Sequence, residues 1–334
     1  MRLLVLGGTR FVGRAVVNDA LVRGWDVTTL NRGVTAPPTD GVTALAADRT
    51  SYAELTGVLG DAGWDVVVDT WSGAPSVVRD AAGLLAARTD RYGYVSSRSV
   101  YSWPPEPGGD ESKPVVDADP DADRTDYAAD KRGAELAAVR EYGEDRALLA
   151  RAGLILGPYE DVGRLPWWLG RIARGGRVVS PGDPDRGLQY VDARDLAAWL
   201  LDNLVRGTCG PVDIVSPPRF TTIRELLTAC VATTRSDAEL VWVSEEVLDA
   251  EGVEPWTQLP CWVPSTGELA GLMESDTSRA VATGLRCRPV EETVRDTWAW
   301  LEHAGMPAPK EGLPLNGLPA ELEAKLLARV STHG

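Results

Sequence analysis

Histidine and cysteine are scarce in this chain. Its 334 residues include two histidines, both near the end, and four cysteines that stand far apart with no C-x-x-C pair. A zinc site needs clustered Cys and His ligands, and a Ser-His-Asp triad needs a histidine as its base. The inventory therefore predicts no metal site and no histidine-based nucleophilic centre.

Basic residues and long apolar runs are also in short supply. Lys and Arg number 34 against 49 Asp and Glu, a net charge of -15, whereas duplex nucleic acid needs clustered positive charge. No apolar run reaches the ~18 residues of a membrane span, and the first predicted strand begins so early that it leaves no room for a signal peptide. We expect a cytoplasmic protein that binds neither nucleic acid nor a membrane.

The N-terminal half alternates short apolar runs with amphipathic segments. Such alternation predicts βαβ units and an α/β fold with a doubly wound parallel sheet of the Rossmann type. Strands are predicted at Leu3–Leu6, Asp26–Leu30, Val42–Leu45, Asp65–Asp69, Tyr92–Ser96 and Arg146–Ala150. Helices are predicted at Phe11–Arg23, Tyr52–Leu59, Val77–Arg88, Asp126–Tyr142, Ala193–Leu204 and Ile223–Ala232.

Two features divide the chain further. After residue 158 the composition shifts toward Pro, Gly and Trp. We therefore predict a Rossmann domain over residues 1–160, rejoined by 187–206, and a smaller substrate-binding lobe from 161–186 and 207–334. Residues 102–124 hold many prolines and acidic residues, a pattern typical of either an active-site cover or a solvated loop.

The glycine-rich turn after the first strand predicts a dinucleotide site. It reads Gly7-Gly8-Thr9-Arg10-Phe11-Val12-Gly13 and leads directly into the first helix. A strand that turns on glycines into a helix brings free backbone N–H groups and the positive end of the helix dipole to one point, where a pyrophosphate can bind.

The end of the second predicted strand bears on which dinucleotide binds. Asn31 and Arg32 stand where an acidic residue would accept hydrogen bonds from the ribose hydroxyls of NAD, and a basic residue accommodates the 2′-phosphate of NADP. Arg10 can add a second positive charge. We predict NADP(H) as the preferred cofactor, with NAD(H) as the alternative. The competing interpretation is that Arg10 and Arg32 are both loop residues that face solvent.

A tyrosine and a lysine lie one helical turn apart at Tyr127 and Lys131. An adjacent cation stabilises phenolate and moves a tyrosine, with an ordinary pKa near 10, toward the range of a general acid or base. The hydroxyl cluster at Ser96 and Ser97 ends a predicted strand and faces the same crevice. Taken alone, the tyrosine–lysine spacing is also typical of an exposed helix, and the serine cluster is also typical of a helix cap.

Together with the segments Arg151–Pro158 and Val191–Ala197, these ordered motifs resemble the extended short-chain dehydrogenase/reductases, the NAD-dependent epimerase/dehydratase family, over most of the chain. The resemblance implies a catalytic set of Ser97, Tyr127 and Lys131. It further implies that Lys131 holds the nicotinamide ribose and that Asp48 lies beside the adenine.

The chain departs from the family pattern at several places. Arg10 replaces a central glycine of the turn, and Arg98-Ser99 replaces the Asp-Glu pair that sugar-nucleotide dehydratases use. Leu188 stands where many members have an arginine for the diphosphate of a nucleotide sugar, although Arg186 is close by. Tryptophans that can line a pocket for an aromatic substrate are Trp103, Trp167, Trp168, Trp256 and Trp262; packing in the core is the other interpretation.

We therefore predict an NAD(P)H-dependent ketoreductase that acts on a small carbonyl or hydroxyl compound, with an aromatic one favoured. The first alternative is an epimerase of a sugar or nucleotide sugar that works by transient oxidation with bound NAD(P). The second is a non-catalytic relative that senses the cofactor or binds RNA. The predicted partner is a small-molecule substrate, and a homodimer is left open.

Overall fold

The computed structural model describes residues 1–34, 37, 39–308 and 316–331. The strands are β1 (Arg2–Leu6), β2 (Asp26–Asn31), β3 (Val42–Ala46), β4 (Val66–Asp69), β5 (Arg91–Ser97), β6 (Ala147–Ala152), β7 (Leu154–Leu156), β8 (Arg177–Pro181), β9 (Gly187–Leu188), β10 (Tyr190–Asp192), β11 (Gly210–Ile214), β12 (Thr221–Thr222) and β13 (Glu239–Val243). The helices are α1 (Phe11–Val22), α2 (Tyr52–Leu59), α3 (Pro75–Leu85), α4 (Tyr127–Tyr142), α5 (Arg164–Ala173), α6 (Ala193–Arg206), α7 (Ile223–Thr234), α8 (Glu245–Ala250), α9 (Ser278–Ala282), α10 (Val290–Ala304) and α11 (Ala320–Ser331).

A seven-stranded sheet in the order β11-β6-β5-β4-β1-β2-β3 forms the centre of the fold. Every adjacent pair in it is parallel. Its interior strand β1 is buried from Leu3 to Leu6 because helices cover both faces of the sheet, as the apolar run indicated. The predicted doubly wound α/β fold is confirmed.

Two apolar layers pack on the faces of this sheet. One is formed by α1 and α6, with Val16 and Leu200 among its buried side chains. The other is formed by α2, α3 and α4 and includes Leu55, Val78 and Ala134. The helix α3 begins earlier than predicted because a proline occupies its first position, where the missing N–H costs no hydrogen bond.

A third apolar core lies in the C-terminal part of the chain. The helices α5, α7 and α10 surround it together with the parallel pair β8 and β13, and Trp168 lies at its centre. This separate core supports the proposed division into a dinucleotide-binding domain and a second lobe. One predicted boundary shifts, since β11 pairs with β6 and so the chain returns to the central sheet beyond residue 206. Gly210, Pro211 and Asp213 obscure this strand in the sequence.

The segment 102–124 packs onto the protein over part of its length. Tyr101 and Val115 form an antiparallel bridge, and the Lys113 ammonium is buried beside Asp213, with Nζ 3.4 Å from its carboxylate. These contacts tie the segment to β11. Among the described residues, no helix has both the length and the apolar character needed to cross a membrane.

Candidate active site

A cleft of about 680 Å³ opens at the carboxyl ends of β1, β2 and β4. In open parallel sheets this edge is where ligands bind. The cleft is lined by all nine residues that the sequence assigns to the dinucleotide apart from Lys131: Gly7, Thr9, Arg10, Phe11, Val12, Gly13, Asn31, Arg32 and Asp48. Their gathering at one cleft is a finding, whereas their contact with a cofactor remains a prediction.

The glycine turn brings β1 close to the start of α1. Gly7 and Gly8 have φ angles of +126° and +97°, which favour glycine. A Cβ on Gly13 would lie 2.7 Å from the backbone nitrogen of Gly8. Glycine is therefore required on both sides of this contact.

The substitution of arginine for the family's central glycine causes no backbone strain. Arg10 precedes α1 with an extended backbone, φ -121°, which any residue adopts. Its side chain is 58% exposed and lies 3.8 Å from the Asp161 carboxylate across the cleft. Among the described residues, no side chain caps α1 and no acidic residue lies in its first turn, so this helix end remains open to an anion.

The far rim of the cleft carries both signs of charge. Asn31 donates to the Gly7 carbonyl at 3.4 Å, and Arg32 is exposed. Asp48 accepts hydrogen bonds from the backbone N–H and the hydroxyl of Thr50, which lower the pKa of Asp48, and the charge of Arg32 adds to this effect. The carboxylate expected beside the adenine thus stays ionised.

The three predicted catalytic residues lie on β5 and α4, which pack against each other. Ser97 ends β5 and is buried, and its hydroxyl donates to the Ser99 hydroxyl at 3.1 Å. Tyr127 is the first residue of α4 and is 52% exposed. The Asp126 carboxylate caps this helix at the N–H groups of Ala128 and Ala129.

Lys131 lies one turn further into α4 and is buried. Its ammonium donates to two carbonyl oxygens. One is that of Trp71, just beyond the end of β4, at 2.7 Å, and the other is that of Val95, near the end of β5, at 2.8 Å. Burial lowers the pKa of Lys131 from 10.5 to about 8, against the opposing effect of Asp69. The residue therefore remains mostly cationic at neutral pH while close to deprotonation.

The sequence reasoning missed a buried charged pair in the cleft wall. Arg49 donates to both carboxylate oxygens of Asp69 at 2.7 Å, and Asp69 has no exposed surface. Tyr92 also donates to Asp69. An aspartate that closes the apolar run Val66–Val68 was the one available signal.

Three of the five tryptophans that the sequence suggested for a substrate pocket are held by other contacts. Trp168 and Trp262 are buried in the lobe's core, and Trp103 is exposed and donates to Glu268. Leu188 is buried, as is most of Arg186, which pairs with Glu274 at 2.7 Å. These three tryptophans and Leu188 are thus placed by packing or surface contacts.

The chain belongs to the NAD dependent epimerase/dehydratase family, whose sequence model matches residues 3–207. It is therefore a member of an enzyme family, as predicted. The chain matches no curated protein at significant similarity.

Solved structures share the fold at low sequence identity. The Bordetella bronchiseptica enzyme WbmH, in complex with NAD+, is 17% identical with a TM-score of 0.69 over 91% of this chain and 99% of its own. The Thermus thermophilus UDP-glucose 4-epimerase, in complex with NAD, is 19% identical with a TM-score of 0.64 over 91% of this chain and 100% of its own. Bordetella bronchiseptica WbmG, in complex with NAD and UDP, is 16% identical with a TM-score of 0.66 over 93% and 97%.

Proposed function

We propose that the protein is a nicotinamide-dependent epimerase that inverts a secondary alcohol carbon of a sugar-class substrate through transient oxidation. The observation that carries the proposal is the position of Lys131, one helical turn from Tyr127. Its ammonium donates at 2.7 Å to the carbonyl of Trp71, a residue of the cleft wall. The family match and the sugar epimerases among similar folds favour this reaction over the ketoreductase predicted from the sequence.

The cleft suits a dinucleotide on three structural grounds. The N-terminal end of α1 has no capping side chain among the described residues, the close approach of Gly13 to the Gly8 backbone leaves no room for a Cβ, and the cleft volume of about 680 Å³ lies in the range of cofactor sites. The glycine turn and Arg10 would hold the pyrophosphate, Asp48 the adenine, and Lys131 the nicotinamide ribose. When bound, the nicotinamide supplies a hydride acceptor that can return the hydride.

The chain's own residues would transfer the proton of the substrate hydroxyl and position its oxygen. Tyr127, exposed at the start of α4, would accept the proton of the substrate hydroxyl and later give it back. Ser97 donates to the substrate oxygen and fixes its position. Lys131 supplies a positive charge one helical turn from Tyr127 on α4.

Cofactor choice is the finer part of the proposal. The similar structures named above contain NAD, which supports a nicotinamide dinucleotide and gives no support to an NADP preference. Arg32 is exposed at the rim beside a neutral Asn31, an arrangement that suits a 2′-phosphate. We propose that the site accepts NADP(H) through Arg32 in addition to NAD(H).

The substrate is proposed to lack a nucleoside diphosphate. Arg186, the arginine nearest the usual diphosphate position, donates to the Ala270 carbonyl and to Glu274, each at 2.7 Å. A diphosphate without a cationic partner loses hydration that nothing replaces. Millimolar UDP or dTDP is expected to give no thermal shift in the presence of cofactor; a saturable shift abolished by Arg186→Ala would contradict this.

A substrate panel tests the proposed function. The protein is incubated with free sugars, nucleotide sugars and ketones, each with NAD+, NADP+, NADH and NADPH, and the products are separated by chirality while nicotinamide absorbance is followed. The proposal expects an epimer with no net cofactor consumption. Stoichiometric loss of NADH or NADPH with a ketone would instead support the ketoreductase.

A further inference from the structure

The peptide groups of Trp71 connect the cleft to Lys131. The Trp71 carbonyl accepts the Lys131 ammonium at 2.7 Å and the Tyr94 hydroxyl at 3.1 Å. Its backbone N–H donates to the Asp69 carboxylate at 2.8 Å, and its indole N–H donates to the Ala74 carbonyl at 3.0 Å. The position of Trp71, and with it one of the two carbonyls that hold Lys131, depends on Asp69.

Asp69 is itself held rigidly. Arg49 donates to both of its oxygens, and the Tyr92 hydroxyl donates to one of them. Burial raises the pKa of Asp69, but the Arg49 charge and these hydrogen bonds outweigh it, so the pKa is lowered overall. Asp69 is therefore a fixed negative charge.

Stability alone gives a weak reason for such a pair. Replacing a buried ion pair by well-packed apolar residues is often neutral or stabilising, because both charges lose their hydration on burial. Arg49 also faces the cleft, with its guanidinium 5.2 Å from the Trp71 ring centroid. The pair thus lies in the cleft wall, beside the Trp71 peptide that holds Lys131.

We propose that Asp69, locked by Arg49, is the positioning residue for Lys131: it fixes the Trp71 peptide that accepts the ammonium and supplies a negative charge that keeps the ammonium in place. The inference rests on the proposed function in that Lys131 acts there on Tyr127 and the ribose. Asp69 does not itself touch the substrate in this account.

The titratable groups around Lys131 come from several elements. Two lie on the strands, Asp69 at the end of β4 and Tyr94 on β5, with its ring centroid 4.8 Å from Nζ. Three are neighbours on α4 itself: Tyr127, Asp130 and Glu135. Glu135 is already paired with Arg151 at 2.8 Å, and Asp130 accepts from Thr125. Asp69 is the leading carboxylate among the groups that raise the pKa of Lys131 against burial.

The lysine content of the chain permits a direct test. The full sequence contains four lysines, Lys113, Lys131, Lys310 and Lys325, so that selective 15N-lysine labelling gives four ammonium signals at most. The Lys131 signal is assigned by its loss in Lys131→Met. Its titration in the whole protein reports the pKa of Lys131 without any substrate.

The test compares Asp69→Asn with a matched control. Glu323→Gln breaks another buried arginine–carboxylate pair, Arg171–Glu323 at 2.8 Å, in the second lobe. The proposal expects the pKa of Lys131 to fall below the parent value of about 8 in Asp69→Asn and to stay unchanged in Glu323→Gln. Where turnover is measurable, the pH above which it declines should move down in parallel. An unchanged titration in Asp69→Asn would overturn the proposal.

A second variant covers the case in which Asp69→Asn does not fold. The double change Arg49→Met with Asp69→Asn removes both charges and keeps an acceptor for the Trp71 N–H and the Tyr92 hydroxyl, so the fold should be preserved. A lowered pKa of Lys131 is again expected, and an unchanged one again contradicts the proposal. A lowered pKa in a protein that epimerises nothing would refute the proposed function alone, whereas an unchanged pKa in an active epimerase would refute this inference alone.

Discussion

A methyl group at Gly13 is expected to disable the cofactor site while leaving the fold intact. The added Cβ would lie 2.7 Å from the Gly8 nitrogen and 3.0 Å from its Cα, contacts with backbone that no side-chain rotation can relieve. The turn must therefore move away from α1, which misaligns the N–H groups that would bind the pyrophosphate. One charge-assisted hydrogen bond contributes about 1.5–3 kcal/mol, so Gly13→Ala should weaken dinucleotide binding roughly 10- to 150-fold.

Gly57 provides the matched control. It also lies within a helix, α2, and a Cβ there meets no atom within 4 Å among the described residues. Gly57→Ala should leave binding unchanged and stabilise the protein by about 0.5–1 kcal/mol, since alanine favours helix. Calorimetric titration with NAD+ and NADP+, together with thermal unfolding, measures both effects. Parent-like affinity in Gly13→Ala would refute the placement of the dinucleotide at this turn.

Three further predictions concern single side chains. Arg32→Ala should weaken NADPH binding on the order of tenfold or more and leave NADH binding unchanged; equal losses in calorimetry would argue against contact with the 2′-phosphate. Tyr127→Phe should lower turnover by ~10²–10⁴-fold with cofactor affinity retained, and full activity would exclude it as the proton-transfer residue. Burial raises the pKa of Glu160 from 4.5 to about 7, so the folded state holds more protons than the unfolded state between these values. Stability from this group is present below pH 4.5 and lost as pH rises through 7, so Glu160→Gln should gain stability relative to the parent between pH 5 and 8 in denaturant titrations.

The parts of the fold that depend on local signals were predictable. The glycine turn, the apolar run of β1 and the spacing of Tyr127 and Lys131 all lie within short stretches of chain, and the structure places each on the expected element. The same holds for the nine predicted cofactor residues that line one cleft. The six that lie between Gly7 and Gly13 could be placed from the sequence because β1, the turn and α1 follow one another directly in the chain.

Features that depend on distant pairing were not predictable. Asp69 looks like a strand end and Arg49 like a loop residue, and only the fold brings the two side chains together across the sheet edge. The edge strand β11 was not predicted because it contains an aspartate, Asp213, which is unusual in a buried strand. Asp213 is accommodated there because it accepts a hydrogen bond at 2.6 Å from Tyr101, more than 100 residues away. The burial of Trp168 was not predictable either, because it depends on the packing of elements that lie far apart in the chain.

The fate of the hydrogen on the inverted carbon tests the central claim most directly. A substrate from the panel, deuterated at that carbon, is converted by the protein with bound cofactor in ordinary water, and the product is examined by mass spectrometry. The account predicts that the epimer retains its deuterium, with no net change in nicotinamide absorbance, and that Tyr127→Phe forms the epimer ~10²–10⁴-fold more slowly. Loss of the deuterium to water would contradict inversion through hydride transfer at this site.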